Sequence, residues 1–296
     1  MLHQILDLTE ATPSCNKESS GDLHVIVELP KYNAPPLIEV VHGVQFRPIP
    51  MNITHPGLFF LLVRERYPHA QQVPPLPPTP DPAGPIGSMS FGLRFGGSEE
   101  LPRSWFISED DAMLIQLQPD RLLLNWRRGS ANAEYPHFEA VADEFSRIYR
   151  LFSEFCSTEG LGSIEPTRCE MTYVNHLLDG PNAEQPWRPE EWLRLWSGAP
   201  GPEWPLHPDE VSLNLQYRLH PDDGSLPAHM TINAQSVRLP QSKNLTPQVE
   251  ITVLGRPSEP TEAAVRNFHN LAHQHIVNCF TGITTDQAHI HWGRWR

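Results

Sequence analysis

Glutamate and histidine on one face of a predicted strand are the first candidates for chemistry. The segment 170–176 reads EMTYVNH and alternates, so Glu170 and His176 are expected to point to the same side. A carboxylate beside an imidazole is the pair that general acid–base catalysis uses. A half-exposed sheet face produces the same pattern, and we favour that structural interpretation. Tyr173, in the same segment, is a further candidate contact for a ligand or partner.

Histidines also concentrate towards the C-terminus. His269 and His273 are four residues apart in a predicted helix, so they share a helix face as two zinc ligands would. His289 and His291 follow in a predicted strand, 289–292, and are expected to point to one side. The helix lacks the glutamate of a His-Glu-x-x-His motif, and no third ligand is fixed. We therefore predict no metal and no cofactor, and keep His291 as a candidate binding residue.

Arg121, Asn125 and Arg127 share one face of a second predicted strand. Two guanidinium groups and an amide on one face could grip an anion or a carboxylate of a partner. A solvated face, or a face paired across neighbouring strands, explains the same residues more simply.

Motifs that would identify a reaction are missing from the sequence. It contains no Gly-x-Ser-x-Gly elbow, no phosphate-binding Gly-x-x-x-x-Gly-Lys loop and no Gly-x-Gly-x-x-Gly after a strand. The only lysines are Lys17, Lys31 and Lys243, which argues against Schiff-base chemistry. These observations favour a binding or interaction module over an enzyme. The alternative is a hydrolase-like enzyme that uses Glu170 with His176, His289 or His291.

Two periodic patterns of apolar residues predict the strands and helices that position these candidate residues. Alternation of apolar and polar residues predicts strands, whereas apolar residues at three- and four-residue steps predict amphipathic helices at 136–157 and 260–281. Pro119-Asp120 separates two alternating runs and predicts a hairpin turn. A short helix is expected at 58–67. The predicted strands are 24–29, 36–50, 89–95, 112–118, 121–127, 168–178, 211–219, 228–239, 248–254 and 289–292.

The order of these elements predicts an α+β fold of two similar halves. In each half, antiparallel strands form a sheet that is packed on one long amphipathic helix. A duplication would produce this pattern, and independent similarity stays open. We divide the chain into an irregular N-terminal extension (1–33), a first half (34–180), a Pro- and Trp-rich connection (181–210) and a second half (211–296).

Composition limits the classes of partner. The formal net charge is −13, so a nucleic-acid backbone would be repelled, and a protein or small ligand is the favoured partner. The four cysteines contain no Cys-x-x-Cys pair, which argues against a disulfide framework or a zinc clip. The start lacks the pattern of a secretory signal, and no apolar run approaches a membrane-spanning length. We therefore expect a soluble cytoplasmic protein.

Four segments together resemble a sporadically distributed family of conserved hypothetical proteins of bacteria and archaea. The most specific are PLIEVVHGVQF at 36–46 and LNWR at 124–127; the others are YPHF at 135–138 and RCEMTYVNH at 168–176. The resemblance covers about residues 33–296. It implies no activity, ligand or catalytic residue. The scattered occurrence of the family suits an accessory gene of defence or toxin–antitoxin type.

Overall fold

The structure is a computed structural model that describes part of the chain. The described residues are 28–77, 101–129, 133–177, 189–197, 203, 211–219, 228–238 and 245–295. The predicted strand at 89–95 lies outside them, as does most of the predicted strand at 24–29 and of the connection at 181–210.

One antiparallel sheet of nine strands organises the described residues. Across the sheet the order is β2-β3-β4-β5-β1-β6-β9-β8-β7, so β1 lies at the centre and β2 and β7 form the edges. The strands are β1 (Leu37–Phe46), β2 (His69–Val73), β3 (Arg103–Ile107), β4 (Met113–Gln118), β5 (Arg121–Arg127), β6 (Pro166–His176), β7 (Leu213–Leu219), β8 (Ala228–Arg238) and β9 (Leu245–Gly255).

This single sheet shows that the predicted fold class is wrong. We expected separate antiparallel sheets, each packed on its own long amphipathic helix, but β6 pairs with β9 over eight residue pairs and joins all strands into one sheet. The pairing brings together residues about 80 positions apart, such as Thr172 and Thr252, and local patterns carry no information about it. The division of the chain into the four segments given above stays a prediction.

Five helices accompany the sheet in the described residues: α1 (His55–Val63), α2 (His137–Thr158), α3 (Pro189–Trp192), α4 (Glu262–Ile283) and α5 (Asp286–His291). α2 contacts β5 and β1, α4 contacts β6 and β9, and the two helices contact each other. We call the side of the sheet that they cover the helix face. Val40, Val44, Leu122 and Leu124 point to this face and are fully buried.

The C-terminal elements differ in detail from the prediction. α4 begins after Thr261, whose hydroxyl accepts a hydrogen bond from the Ala264 amide, two residues later than the predicted start at 260. The predicted strand at 289–292 is wrong, because residues 286–291 form α5. Thr285 caps that helix by accepting from the Ala288 amide. None of the described helices is long and apolar enough to cross a membrane.

Candidate functional site

The side of the sheet opposite the helices carries most of the predicted site residues. Alternation along β5 puts Arg121, Asn125 and Arg127 on this side. The register places Glu39 of β1 opposite Arg127, and Gly43 opposite Glu170 of β6. Strands that are distant in sequence therefore bring Glu170 to the same side as the arginines. We call this side the polar face.

A chain of hydrogen bonds crosses the polar face from β3 to β1. Gln116 Oε1 accepts from Arg103 Nη1 at 2.8 Å and from Trp105 Nε1 at 3.1 Å. Gln116 Nε2 donates to Asn125 Oδ1 at 2.7 Å, and Asn125 Nδ2 donates to Glu39 Oε1 at 2.6 Å. We call these five side chains the Gln116 network. Because Gln116 and Asn125 are buried, these bonds fix the half-buried residues at both ends.

Two guanidinium groups lie over the Trp105 ring. The Arg103 guanidinium is 5.4 Å from the ring centroid, and the Arg127 guanidinium is 6.0 Å away. Both distances are within the range of cation–π attraction. Arg127 is held in turn by Asp111, because it donates to the Asp111 carboxylate and to its backbone oxygen. The indole ring is half-buried, and its N–H is already committed to the Gln116 network.

Glu39 is the last residue of the Gln116 network, and it lies near the charged side chains of Arg127 and Glu250. Burial raises its pKa above the usual range, while the Asn125 hydrogen bond and the nearby Arg127 charge oppose this rise. Glu250 raises the pKa further, and it lies across β6 because Val174 pairs with both Glu39 and Glu250. The Glu39 carboxylate is thus a partly desolvated acceptor.

Glu170 occupies a tighter environment nearer the middle of β6. Gln45 Nε2 donates to Glu170 Oε2 at 3.1 Å. Burial raises the Glu170 pKa, and the Gln45 hydrogen bond and the charges of Arg121 and Arg168 lower it in part. A Cβ on Gly43 would lie 2.4 Å from Glu170 Cγ, so the Glu170 side chain occupies the space that this glycine leaves free.

Arg121 does not join Arg127 in one anion site. The two residues are six positions apart on β5, which is about 20 Å along a strand. Arg121 donates to the Asp120 carboxylate at 3.0 Å and to the Pro77 carbonyl at 3.2 Å, and it is 4% exposed. Each arginine is therefore already paired with an aspartate. The structure therefore does not bring all three side chains together around one anion, and the cross-strand hydrogen bonds of Asn125 agree with the simpler alternative of a paired face.

His176 does not lie beside Glu170, so the structure does not form the acid–base pair that was weighed against a half-exposed sheet face. Both point to the polar face, but they are about 20 Å apart along β6. His176 Nε2 lies 3.2 Å from Gln248 Oε1 at the end of the sheet. His291 is exposed on α5, where its ring is 5.3 Å from the Trp192 ring. The structure thus brings neither histidine to Glu170.

Tyr173 lies on the helix face rather than on the polar face. Its hydroxyl is 2.8 Å from His273 Nδ1 and 3.3 Å from the Tyr135 hydroxyl. Burial raises the Tyr173 pKa and holds the His273 pKa at about 4. The ring of His273 stacks on Phe138 with centroids 4.1 Å apart. This group is part of the packed layer between sheet and helices.

The sequence patterns did not lead us to predict that His42 and His269 are buried in the core. His42 alternates with Val40 and Val44 on β1, which was a signal for a core position. Both ring nitrogens of His42 and Nδ1 of His269 lack a hydrogen-bond partner in the described part of the chain. In that same part, no group of three or more His, Cys, Asp or Glu residues is arranged to hold a metal ion.

A second feature that we did not predict is the apolar surface of α1. Pro56, Phe59 and Val63 are buried, but the opposite side of this short helix is also apolar. The exposed large residues there and just before the helix are Ile53, Leu58, Leu61 and Leu62, which are 40–60% exposed. The uninterrupted run LFFLLV was the signal, because a helix that is apolar all round has an apolar side left for solvent or a partner.

Comparisons with known proteins do not assign the chain to a family. No family model matches the chain, and no curated protein matches it either. The resemblance described above therefore stays a prediction, carried by the four segments named for it.

Proposed function

We propose that this protein is a binding module that holds a protein partner on its polar face, with Trp105 at the centre of the contact. The observation that carries the proposal is the position of Trp105, which is half-buried with the guanidinium groups of Arg103 and Arg127 over its ring. Tryptophan and arginine are the residues that most often dominate the binding energy of protein interfaces.

Preorganisation supports this proposal. The Gln116 network holds Trp105 and Arg103 through one amide oxygen, and Asp111 holds Arg127 from the other side. Side chains that are already fixed lose less conformational entropy when a partner binds, so more of the contact energy appears as affinity. A solvated sheet face would not require such a network.

The chemistry of the site also indicates what the partner must supply. Glu39 ends the network as a partly desolvated carboxylate, and Glu250 lies across β6 from it. A partner that donates hydrogen bonds to Glu39 and covers the Trp105 ring would match both features. A defence or toxin–antitoxin setting, which the family resemblance suggests, commonly pairs one protein with another in the cytoplasm, and we propose that setting here.

The hydrolase-like alternative gains no support from the site. It requires an imidazole within hydrogen-bond reach of a carboxylate, at about 3 Å. His176 and Glu170 are about 20 Å apart along one strand. His289 is buried against Thr284, at 2.8 Å from its hydroxyl.

Affinity capture from the native host tests the proposal. Tagged wild-type protein and the Trp105→Ala variant are compared with Trp295→Ala, which removes another tryptophan that is 53% exposed. We expect one protein to be captured by the wild type and by Trp295→Ala, and to be lost with Trp105→Ala. Unfolding curves must show that Trp105→Ala is folded. Capture of the same protein by all three, or by none, would contradict the proposal.

A further inference from the structure

The two edges of the sheet are protected to different degrees. β2 is short, reads HAQQV and is followed by Pro74 and Pro75, which are features that discourage pairing with another chain. β7 reads LNLQYRL and pairs with β8 without a register break, and it contains no proline, lysine or bulge. Among the described strands, β7 has a neighbour on one side only. Within the described part of the chain, its other edge carries no strand and can accept one.

The hydrogen-bond pattern identifies the groups on this edge. The Leu177 amide donates to the Pro247 carbonyl at 2.9 Å, so residues 177 and 247 form a hydrogen-bonded pair. Pairing alternates along and across antiparallel strands. When this alternation is followed from β9 through β8 to β7, the odd-numbered residues of β7 are the ones whose backbone groups bond to β8. The backbone N–H and C=O groups of Asn214, Gln216 and Arg218 consequently point away from the sheet.

We infer that β7 pairs in antiparallel fashion with β7 of a second copy of this chain, about a two-fold axis at Gln216. Gln216 then faces Gln216 of the second copy, and Asn214 faces Arg218, as hydrogen-bonded pairs. Leu215 faces Tyr217 of the second copy as a non-hydrogen-bonded pair, in which the two side chains approach more closely than in the hydrogen-bonded pairs. Leu213 faces Leu219 at the ends. An isologous interface requires this kind of self-complementarity.

Charge and polarity both fit a second copy. Arg218 is the only charged residue of β7, and it faces Asn214, so no like charges meet despite the net charge of −13. In this register the apolar residues of both strands fall on the helix face. Tyr217, which is 43% exposed, would be covered there. Leu219 also lines an apolar groove with Phe268 and Leu271 of α4, so the apolar surface continues beside the new strand pair.

The size of the contact sets its strength. Three hydrogen-bonded pairs supply about six backbone hydrogen bonds. An edge contact of seven residues per chain is expected to bury less than about 1,200 Å², the range of weak and transient interfaces. The dimer is therefore expected to dissociate with a constant on the order of micromolar.

Disulfide trapping tests the register directly. Cα atoms of a hydrogen-bonded antiparallel pair are about 5.5 Å apart, which a disulfide can bridge. Gln216→Cys should therefore give a dimer on a non-reducing gel after mild oxidation. The matched control is Asn214→Cys, because its two copies would lie about 14 Å apart along the strands. The wild-type chain, with its own four cysteines, is the reference.

Sedimentation of the full chain over a concentration series tests the dimer itself. Gln216→Pro removes an outward N–H without removing a bond to β8, and edge strands tolerate proline at such positions. We expect the wild type and Gln216→Thr to dimerise reversibly, and Gln216→Pro to stay monomeric. If Gln216→Pro does not fold, the cysteine pair decides.

Two results would overturn the inference. One is a wild-type chain that is monomeric at about 200 µM, well above the expected dissociation constant; the edge would then be left to an extended segment of another protein. The other is a dimer that forms a disulfide equally well at 214 and 216, or at neither position. Since β7 and the Trp105 site on β3 lie near opposite edges of the sheet, failure here leaves the proposed function untouched.

Discussion

The imidazole rings of His42 on β1 and His269 on α4 meet edge to face in the core, with centroids 4.8 Å apart. Both side chains are fully buried, and the Phe145 ring lies within 6 Å of each of them. His269 Nε2 is 3.2 Å from the Gly43 carbonyl oxygen. Two neutral imidazoles thus join the central strand to a covering helix. Because both rings are buried, protonation of either ring would cost considerable free energy.

This pair predicts loss of stability in mild acid. Burial holds the His269 pKa at about 4 and the His42 pKa well below its usual 6.5. At these two histidines the unfolded chain binds more protons than the folded chain below about pH 6.5, so their contribution to the free energy of unfolding falls as pH decreases towards 4. His269 alone accounts for about 3 kcal/mol over this range. Urea unfolding at pH 7.5, 6.5 and 5.5 measures the slope.

His42→Leu isolates this effect from the carboxylates. Glu39 and Glu170 have raised pKa values, so they favour the folded chain as pH falls and oppose the histidines. Leucine replaces an imidazole that has no hydrogen-bond partner in the described residues, so we expect little change at pH 7.5 and a shallower loss towards pH 5.5. Identical slopes for both proteins would contradict this assignment.

Gly43→Ala is expected to destabilise the sheet centre. The added Cβ would lie 2.4 Å from Glu170 Cγ and 2.7 Å from Leu123 Cδ2, so both side chains must move. Overpacking of this kind typically costs about 1–3 kcal/mol. Gly57→Ala is the matched control, because nothing lies within 4 Å of its Cβ and alanine favours a helix. Chemical denaturation of both should show opposite signs, and equal midpoints would argue against the close contact.

Asn125→Ala is expected to break the Gln116 network. It leaves Gln116 Nε2, in a buried side chain, and Glu39 Oε1, in a half-buried one, without their present partner. Unsatisfied buried polar groups cost about 1–3 kcal/mol each, so a loss of about 2–4 kcal/mol is expected. Asn267→Ala, at an exposed position of α4, should change stability by less than about 0.5 kcal/mol. Similar values for the two variants would show that the network contributes nothing.

The hydrogen bonds of Tyr173 give a second comparison within the core. Tyr173→Phe removes both the 2.8 Å bond to His273 Nδ1 and the 3.3 Å contact with the Tyr135 hydroxyl, whereas Tyr135→Phe removes only the 3.3 Å contact. We expect a loss of about 1–2 kcal/mol for Tyr173→Phe and a smaller loss for Tyr135→Phe. Thermal unfolding of the two variants measures the difference. The reverse order would show that the His273 bond is not the stronger one.

Local features of the fold could be predicted from the sequence, but its long-range pairing could not. The turn at Pro119-Asp120 joins β4 and β5 as expected, and α2 lies within one residue of its predicted span. The continuous sheet was missed, because the pairing of β6 with β9 depends on the register between distant segments.

The candidate site was predictable to the same limited degree. Alternation placed Arg121, Asn125 and Arg127 on one side of β5, but only the register of β1 with β5 shows that Asn125 reaches Glu39. Trp105 gave no signal of its own, because the side chains that contact it, Arg103, Gln116 and Arg127, lie on three strands.

Calorimetric titration of the captured partner, once purified, tests the central claim most directly. Removal of a tryptophan at the centre of an interface typically costs at least 2 kcal/mol, so Trp105→Ala should weaken the dissociation constant by about 30-fold or more. Trp295→Ala should bind like the wild type. Equal dissociation constants for Trp105→Ala and the wild type would place the contact elsewhere on the molecule and contradict the account.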